Sequence, residues 1–346
     1  MVAHRALRPP RHGRAGHGRA GHGRGGVAVT RVAAIDCGTN SVRLLIADIV
    51  PGGDGGAGGT LTDVERRMEI VRLGEGVDET GRLSPAALER TFTAMRGYAG
   101  LIDRHGAGAG HGPIKTRVVA TSATRDAANR ADFVRGVVDI FGVVPEVISG
   151  DEEAGLSFTG ATRELAALRP ARPYLVVDIG GGSTEFVLGS SSADAARSID
   201  IGCVRMTERH LKDDPPSPQQ ISGAAADIDA ALAAVRETVP VDEARTLVGL
   251  AGSVTTVAGI ALGLPEYDAS RIHLSRITAG QVHEVTRRLL HATRAERAEF
   301  GVMHPGRVDV IGAGALILDR IMREYGFGAV VVSEHDILDG IAWSLV

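Results

Sequence analysis

The chain has 346 residues, 44% of them hydrophobic, with 38 Lys and Arg against 42 Asp and Glu, for a formal net charge of −4. That length supports two packed cores and excludes a small stapled scaffold. Two cysteines, Cys37 and Cys203, exclude a disulfide framework or a four-cysteine zinc site and suit a reducing cytoplasm. The longest apolar stretches, such as residues 254–264, fall short of the roughly 18 to 20 residues that a membrane span needs, so no membrane partner is expected. Residues 1–26 carry Arg5, Arg8, Arg11, Arg14, Arg19 and Arg24 and no acid, which leaves a body of about −10. Such a body is a poor partner for nucleic acid, whose phosphates call for clustered Lys and Arg. Any polyanion it handles must be met by local arginines, backbone N–H groups or metal ions.

Residues 1–28 repeat a five-residue unit from His12, His17 and His22 with no apolar periodicity, which predicts a disordered tail. Residues 31–36 and 41–50 read as strands around a tight loop and residues 69–73 as a third, with the glycine cluster at 52–59 as a hairpin tip. Ser84-Pro85 opens a helix to about residue 104, with Ser as N-cap and Pro at the first helical position. A strand at 116–121, a helix at 130–141, a strand at 143–148 and a helix opening on Asp151-Glu152-Glu153 complete a first α/β half. The second half repeats the theme, with strands at 174–178, 184–188 and 197–201, then helices near 204–211 and 218–239. A strand at 246–251 runs into Gly252-Ser253 and a helix; helices follow at 279–291 and 307–325, then a strand at 329–333 and a helix at 336–345. The organisation expected is a tail (1–28) and two domains (29–150 and 151–346).

Two loops match in frame: Asp36-Cys37-Gly38-Thr39-Asn40-Ser41 and Asp178-Ile179-Gly180-Gly181-Gly182-Ser183, the second continuing into Thr184. Both read Asp-X-Gly-X-X-Ser between two strands. Glycines let successive N–H groups converge on an anion, hydroxyls add donors, and the Asp at the strand end can hold a divalent cation or its water. A strand after the loop excludes a Rossmann fingerprint, and the absence of a Gly-Lys-Ser/Thr context excludes a Walker A loop. One such loop reads as an ordinary glycine turn; two in matching positions point to phosphate. A third turn at Gly252-Ser253 offers N–H groups at a helix N-terminus.

The segments Ala34-Ile-Asp-Cys-Gly-Thr-Asn-Ser-Val-Arg43, Ala120-Thr-Ser-Ala-Thr-Arg125, Ile148-Ser-Gly-Asp-Glu-Glu-Ala154 and Val177-Asp-Ile-Gly-Gly-Gly-Ser-Thr-Glu185 closely resemble the exopolyphosphatase/guanosine pentaphosphate phosphohydrolase (Ppx/GppA) family. The resemblance continues through Ile201-Gly-Cys-Val-Arg205 and Gly252-Ser-Val-Thr-Thr256, and it is to the short, two-domain branch. It implies two actin-like, ribonuclease-H-like α/β domains facing each other across a phosphate cleft. The activity it implies is Mg²⁺-dependent hydrolysis of a phosphoanhydride, releasing terminal orthophosphate from inorganic polyphosphate. Guanosine pentaphosphate hydrolysis, phosphoryl transfer to a small acceptor and non-catalytic polyphosphate binding are the alternatives, and a homodimer is in keeping with the family. Ser333-Glu-His-Asp-Ile-Leu-Asp-Gly340 departs from the family by its acidity.

Phosphoanhydride hydrolysis needs a water placed in line and charge neutralised on the transferred group. Glu152, in the first turn of the helix where the two halves meet, is the candidate for placing that water, a role the resemblance implies; an acidic first turn that merely complements the helix dipole is the alternative. Asp178 and Glu185, seven residues apart on one hairpin, are candidate Mg²⁺ ligands, with Asp36 approaching from the other half. Arg125, after a strand end, is the candidate phosphate clamp, and Arg43 and Arg205 extend the cationic path. The histidines show no metal-ligand spacing, and Cys37 reads as a small buried residue.

Overall fold

The computed structural model describes residues 29–52, 59–107, 113–165 and 168–346; the Arg/His/Gly tail and most of the expected hairpin tip at 52–59 lie outside the described residues. Strands β1 (Thr30–Cys37), β2 (Ser41–Val50) and β3 (Thr60–Ile70) form an antiparallel meander. After helices α1 (Val77–Thr80) and α2 (Pro85–Ala107), strand β4 (Lys115–Ala120) pairs in parallel with β1. Helices α3 (Ser122–Asp126) and α4 (Arg130–Phe141) lead to β5 (Glu146–Val147), giving the sheet order β3-β2-β1-β4-β5. The central strand β1 is buried on both faces. Ala33, Ile35 and Cys37 share one core with Leu88 and Met95 of α2 and Phe133 of α4, while Val32 and Ala34 join a second core on the opposite face. That split follows from the two-residue period of a strand.

The second lobe repeats the plan. Helix α5 (Gly150–Thr162) precedes the meander β6 (Tyr174–Ile179), β7 (Thr184–Gly189) and β8 (Ala193–Ile199). Helices α6 (Cys203–His210) and α7 (Pro218–Arg236) lead to β9 (Thr246–Leu250), which pairs in parallel with β6. Then come α8 (Ala251–Ala261), α9 (Ala269–Ile272), β10 (Arg276–Thr278), α10 (Ala279–His291), α11 (Arg294–Ala298), α12 (Ile311–Glu324), β11 (Ala329–Val332) and α13 (Ile337–Trp343). The order β10-β11-β9-β6-β7-β8 contains the order of the first sheet with one antiparallel strand, β10, added at the edge. These are two α/β lobes of the actin-like, ribonuclease-H-like type. Helices α7, α8, α10 and α12 bury one face of the second sheet, and Ala154, Phe158 and Ala161 of α5 bury the other.

Two connections join the lobes. The chain leaves the first sheet after β5 and enters α5, which covers the second sheet. It leaves the second sheet after β11 and enters α13, whose Ile337, Leu338 and Ile341 pack under Val32, Leu45 and Val119 of the first sheet. The segment expected at the domain boundary near residue 150 is therefore the start of a crossing helix, and the last helix returns to the first lobe.

Some elements differ from the sequence reading. The third strand runs over Thr60–Ile70, ahead of the expected 69–73. It is a sheet-edge strand whose polar positions hide the apolar signal, and the buried Val71 and Leu73 that suggested it belong to the segment behind the first loop. The strand expected at 143–148 shrinks to Glu146–Val147, preceded by Pro145, which has no N–H to give to a ladder. The helix expected from residue 307 begins at Ile311, after a 3₁₀ turn at Pro305–Arg307. Helices α1, α3, α9 and α11 and strand β10 are too short to leave a periodic signal.

Candidate active site

Both glycine loops sit at the tips of their hairpins, closed by Gly38 N–H to Ser41 O (2.9 Å) and Gly180 N–H to Ser183 O (3.0 Å). Their carbonyls are taken up from behind. Thr39 O accepts from Gly74 N–H (2.8 Å), and Asn40 O from the N–H groups of Val71 and Arg72 (3.0 and 2.9 Å). In the second loop Gly180 O accepts from Cys203 N–H and Gly181 O from Val204 N–H (both 2.9 Å), while Gly182 O accepts from Arg205 Nε (2.7 Å). With the carbonyls held outside, the amides of Thr39, Asn40, Gly181 and Gly182 have no backbone acceptor among the described residues, the arrangement of an anion nest. The two loops touch: a Cβ on Gly182 would stand 2.7 Å from Ser122 Oγ and 2.8 Å from Thr39 Oγ1, so a side chain there would have to displace that hydroxyl pair. Between them lies a cavity of about 80 Å³.

Of the sequence candidates, Asp36, Gly38, Thr39, Asn40, Ser41, Arg43, Asp178, Gly180, Gly181, Ser183, Gly252 and Ser253 line this cavity. Gly182 is packed against the first loop instead. Thr184 is fully buried with its hydroxyl donating to Ile201 O (2.6 Å), and Glu185 lies behind the cavity, accepting from Ser198 Oγ (2.8 Å).

Glu152, the residue expected to place the water, does not line the cavity. Its side chain is 47% exposed and accepts from Arg117 Nη2 at 3.0 Å, in a surface group with Glu146, outside the cavity. Glu153 lines the cavity instead, 8% exposed, with Oε2 accepting from Arg125 Nη1 at 3.1 Å. Successive helical residues point about 100° apart, so only one of the two can face inward. A signal was present in the sequence: Glu153, Ser157 and Ala161 recur at helical spacing on the buried face of α5, and Glu152 is off that face. Arg125 thus bonds a carboxylate, and also the carbonyl of Ile148 (3.1 Å), rather than standing free as a clamp. Arg205 is likewise engaged with carboxylates, Asp78 and Asp126.

The duplication makes the electrostatics asymmetric. Asp36 pairs across its hairpin with Arg43, whereas at the matching place Asp178 pairs with Glu185. Arg43 donates Nε and Nη2 to Asp36 Oδ2 (2.9 and 2.6 Å) and Nη1 to Asp336. Burial pulls the Arg43 pKa down, but Asp336 and Asp36 more than reverse it. Asp178 is pushed up to about 8 by burial, with Glu185 and Asp336 adding repulsion, although Ser157 Oγ donates to its Oδ2 (2.7 Å). Burial pushes Glu185 up to about 7. Glu153 is raised well above the carboxylate range by burial and by Glu185, with Arg125 opposing. Three buried acids facing one another call for a cation. The chemistry of the donors, all carboxylate oxygens, suits a hard divalent ion, and Asp36 Oδ1 is buried with no hydrogen-bond partner, but among the described residues no three of these acids bring ligand oxygens within 4.8 Å of one another.

Sequence reasoning missed Arg307. It closes the 3₁₀ turn in the connection between α11 and α12, is half-buried with its pKa lowered by burial, lines the cavity, and occupies the space over Gly252 where a side chain would have to sit. It has no ion-pair partner among the described residues, so its charge is available to an anionic ligand. A second cavity of about 460 Å³ continues from the first, sharing Arg43, Gly252 and Arg307, and adds Arg66, Arg67, Tyr267, Met303 and Glu334.

Away from the cleft, Glu164, His273 and His335 converge, with ligand atoms within 4.8 Å of one another. His335 Nδ1 meets Asp339 (2.9 Å), but His273 Nδ1 receives Glu334 N–H (3.2 Å), which leaves the ring proton on Nε2 facing Glu164 (2.9 Å). That is a hydrogen-bonded cluster, not a ligand set. Among the described residues no helix is long and apolar enough to cross a membrane.

The chain is 50% identical over 328 residues to exopolyphosphatase 2 of Mycobacterium tuberculosis, covering 92% of this chain and 99% of that protein. It superposes on the crystal structure of an exopolyphosphatase-like protein with a TM-score of 0.84 and 43% identity, over 91% of this chain and 98% of that one. The Aquifex aeolicus PPX-GPPA enzyme superposes with a TM-score of 0.74 and 31% identity, over 92% and 100% of the two chains. Residues 45–346 match the Ppx/GppA phosphatase family, and with these relatives the match shows that the chain belongs to it.

Proposed function

We propose that the chain is an exopolyphosphatase, a Mg²⁺-dependent hydrolase that removes terminal orthophosphate from inorganic polyphosphate, with Glu153 orienting the attacking water. The observation that carries this reading is a buried carboxylate, held by Arg125, facing a small cavity between two glycine loops. The likeness to an exopolyphosphatase along nearly the whole chain supports the choice of substrate.

In the proposed reaction the terminal phosphate lies between the loops, where the amides of Thr39, Asn40 and Gly181 and the guanidinium of Arg307 offset its charge. Water attacks the terminal phosphorus. A new P–O bond forms as the bridging P–O bond breaks, and the shortened chain leaves with the bridging oxygen. Glu153 accepts the proton that the water loses. Asp178, Glu185 and Asp36 are the groups that would hold Mg²⁺, which when bound supplies charge neutralisation to the phosphate oxygens. The preceding phosphates extend into the second cavity, where Arg307 has no ion-pair partner among the described residues and Arg43, Arg66 and Arg67, each already paired with a carboxylate, line the wall. A second reading, guanosine pentaphosphate, draws on the apolar part of that cavity's wall, Val302, Met303, Tyr267 and Leu338, which suits a nucleoside.

Orthophosphate release from polyphosphate of defined length and from guanosine pentaphosphate, with and without Mg²⁺, tests the proposal. Mg²⁺-dependent release, faster from polyphosphate, is expected. Polyphosphate binding with no release would make the chain a binder and defeat the proposal.

A further inference from the structure

The second glycine loop is fixed to the opposite lobe as well as to its own. Arg205 on α6 donates Nε to Gly182 O (2.7 Å), and the other arms of its guanidinium cross the cleft. Nη2 donates to Asp126 at the end of α3 (2.7 Å) and Nη1 to Asp78 in α1 (2.5 Å). Arg209, one turn on, donates Nε to the same Asp78 (2.6 Å). The Arg205 side chain is only 12% exposed. Its partners Asp78 and Asp126 are 19% and 34% exposed, so these are charge-assisted bonds at the cleft edge whose strength comes from the fork geometry. A rigid planar fork can satisfy three acceptors at once, which a lysine ammonium on a flexible stem does not do with the same geometry.

We propose that Arg205 is a positioning residue that latches the second phosphate loop to the opposite lobe, so that Gly180, Gly181 and Gly182 are set for phosphate only while the lobes are closed. The inference rests on the hydrolytic reading of the cleft given above. Closure and loop geometry are coupled because one guanidinium carries both. Parting the lobes removes Asp78 and Asp126 from Arg205 and leaves its Nε contact with Gly182 unsupported. Closing them restores the fork and sets the carbonyl of Gly182 away from the cavity. With the loops in contact and a cavity of about 80 Å³ between them, a chain end reaches the site while the lobes are parted and is gripped as they close.

The double variant Asp78→Asn/Asp126→Asn removes the cross-lobe partners and leaves Arg205 on Gly182; Arg205→Lys keeps the charge and loses the fork. Energy transfer between one dye on each lobe reads lobe separation without substrate, and phosphate release from polyphosphate reads function. Both variants should part the lobes and lower kcat/KM at least tenfold, with thermal unfolding of each lobe retained. Asp309→Asn is the control, since it breaks the cross-lobe pair Arg72–Asp309 (2.9 Å) without touching Arg205; it should change kcat/KM less than threefold. Lobe separation and kcat/KM within twofold of the parent in the double variant, or an equal loss in Asp309→Asn, would overturn the latch. Absence of phosphate release in the unaltered chain would count against the hydrolytic reading, and lobe separation would still decide the latch.

Discussion

Seven residues beyond each loop aspartate stand Arg43 in one lobe and Glu185 in the other, and this single difference sets the chemistry of the cleft. Like charges directly opposite on neighbouring strands are destabilising, and burial sharpens the penalty. Asp178 and Glu185 have pKa values raised to about 8 and about 7 in the folded protein, so folding favours their protonated forms. Stability they contribute is full below the ordinary carboxylate range and is lost as pH rises through their folded values. Metal-free protein should therefore show a melting temperature that falls between about pH 5 and pH 8, while the stabilisation given by Mg²⁺ grows over the same interval. Asp178→Asn should flatten the metal-free profile and raise the Mg²⁺ needed for half-maximal rate. A metal-free melting temperature independent of pH in that window would show that these acids are not coupled as described.

Helices α5 and α13 carry the chain between lobes, and they cross on glycine. A Cβ on Gly160 would stand 2.7 Å from the carbonyl carbon of Asp336 and 3.1 Å from Gly340 N, and one on Gly340 would stand 2.7 Å from the carbonyl carbon of Leu156. The obstacles are backbone, which yields less than a side chain does. Gly340→Ala should cost about 1–3 kcal/mol of stability by overpacking, measured by urea unfolding; a neutral result would mean that the helices can part without loss. Element by element, the sequence was most legible where periodicity is strong. The helices at Arg130–Phe141 and Ala279–His291 have the bounds expected, because their apolar stripes are regular and flanked by breakers. It was least legible at β3, an edge strand whose alternating polar residues meet solvent, and at α1, α3 and α9, whose four or five residues are held by neighbours rather than by propensity.

At the scale of the molecule, two copies of one α/β plan enclose the cleft, and the crossing helices place their first turns beside it. Both glycine loops were legible because a duplicated motif carries its own internal check. What a linear reading lacks is the direction of a side chain relative to the other lobe: Glu152 and Glu153 are both acids in a first helical turn, and the helical spacing of Glu153 with Ser157 and Ala161 separates them only once that face of α5 is known to be the buried one. Arg307 was hidden for the same reason, because nothing beside it in sequence marks it as reaching Gly252. Water placement in the cleft therefore turns on two adjacent residues, tested by turnover of polyphosphate at saturating Mg²⁺ in Glu152→Gln and Glu153→Gln, with binding measured alongside. Glu153→Gln should bind polyphosphate and lose about 10²- to 10⁴-fold in kcat, while Glu152→Gln, altered only at its surface pair with Arg117, should stay within about threefold of the parent. A large loss confined to Glu152→Gln, or equal mild losses in both, would contradict the account.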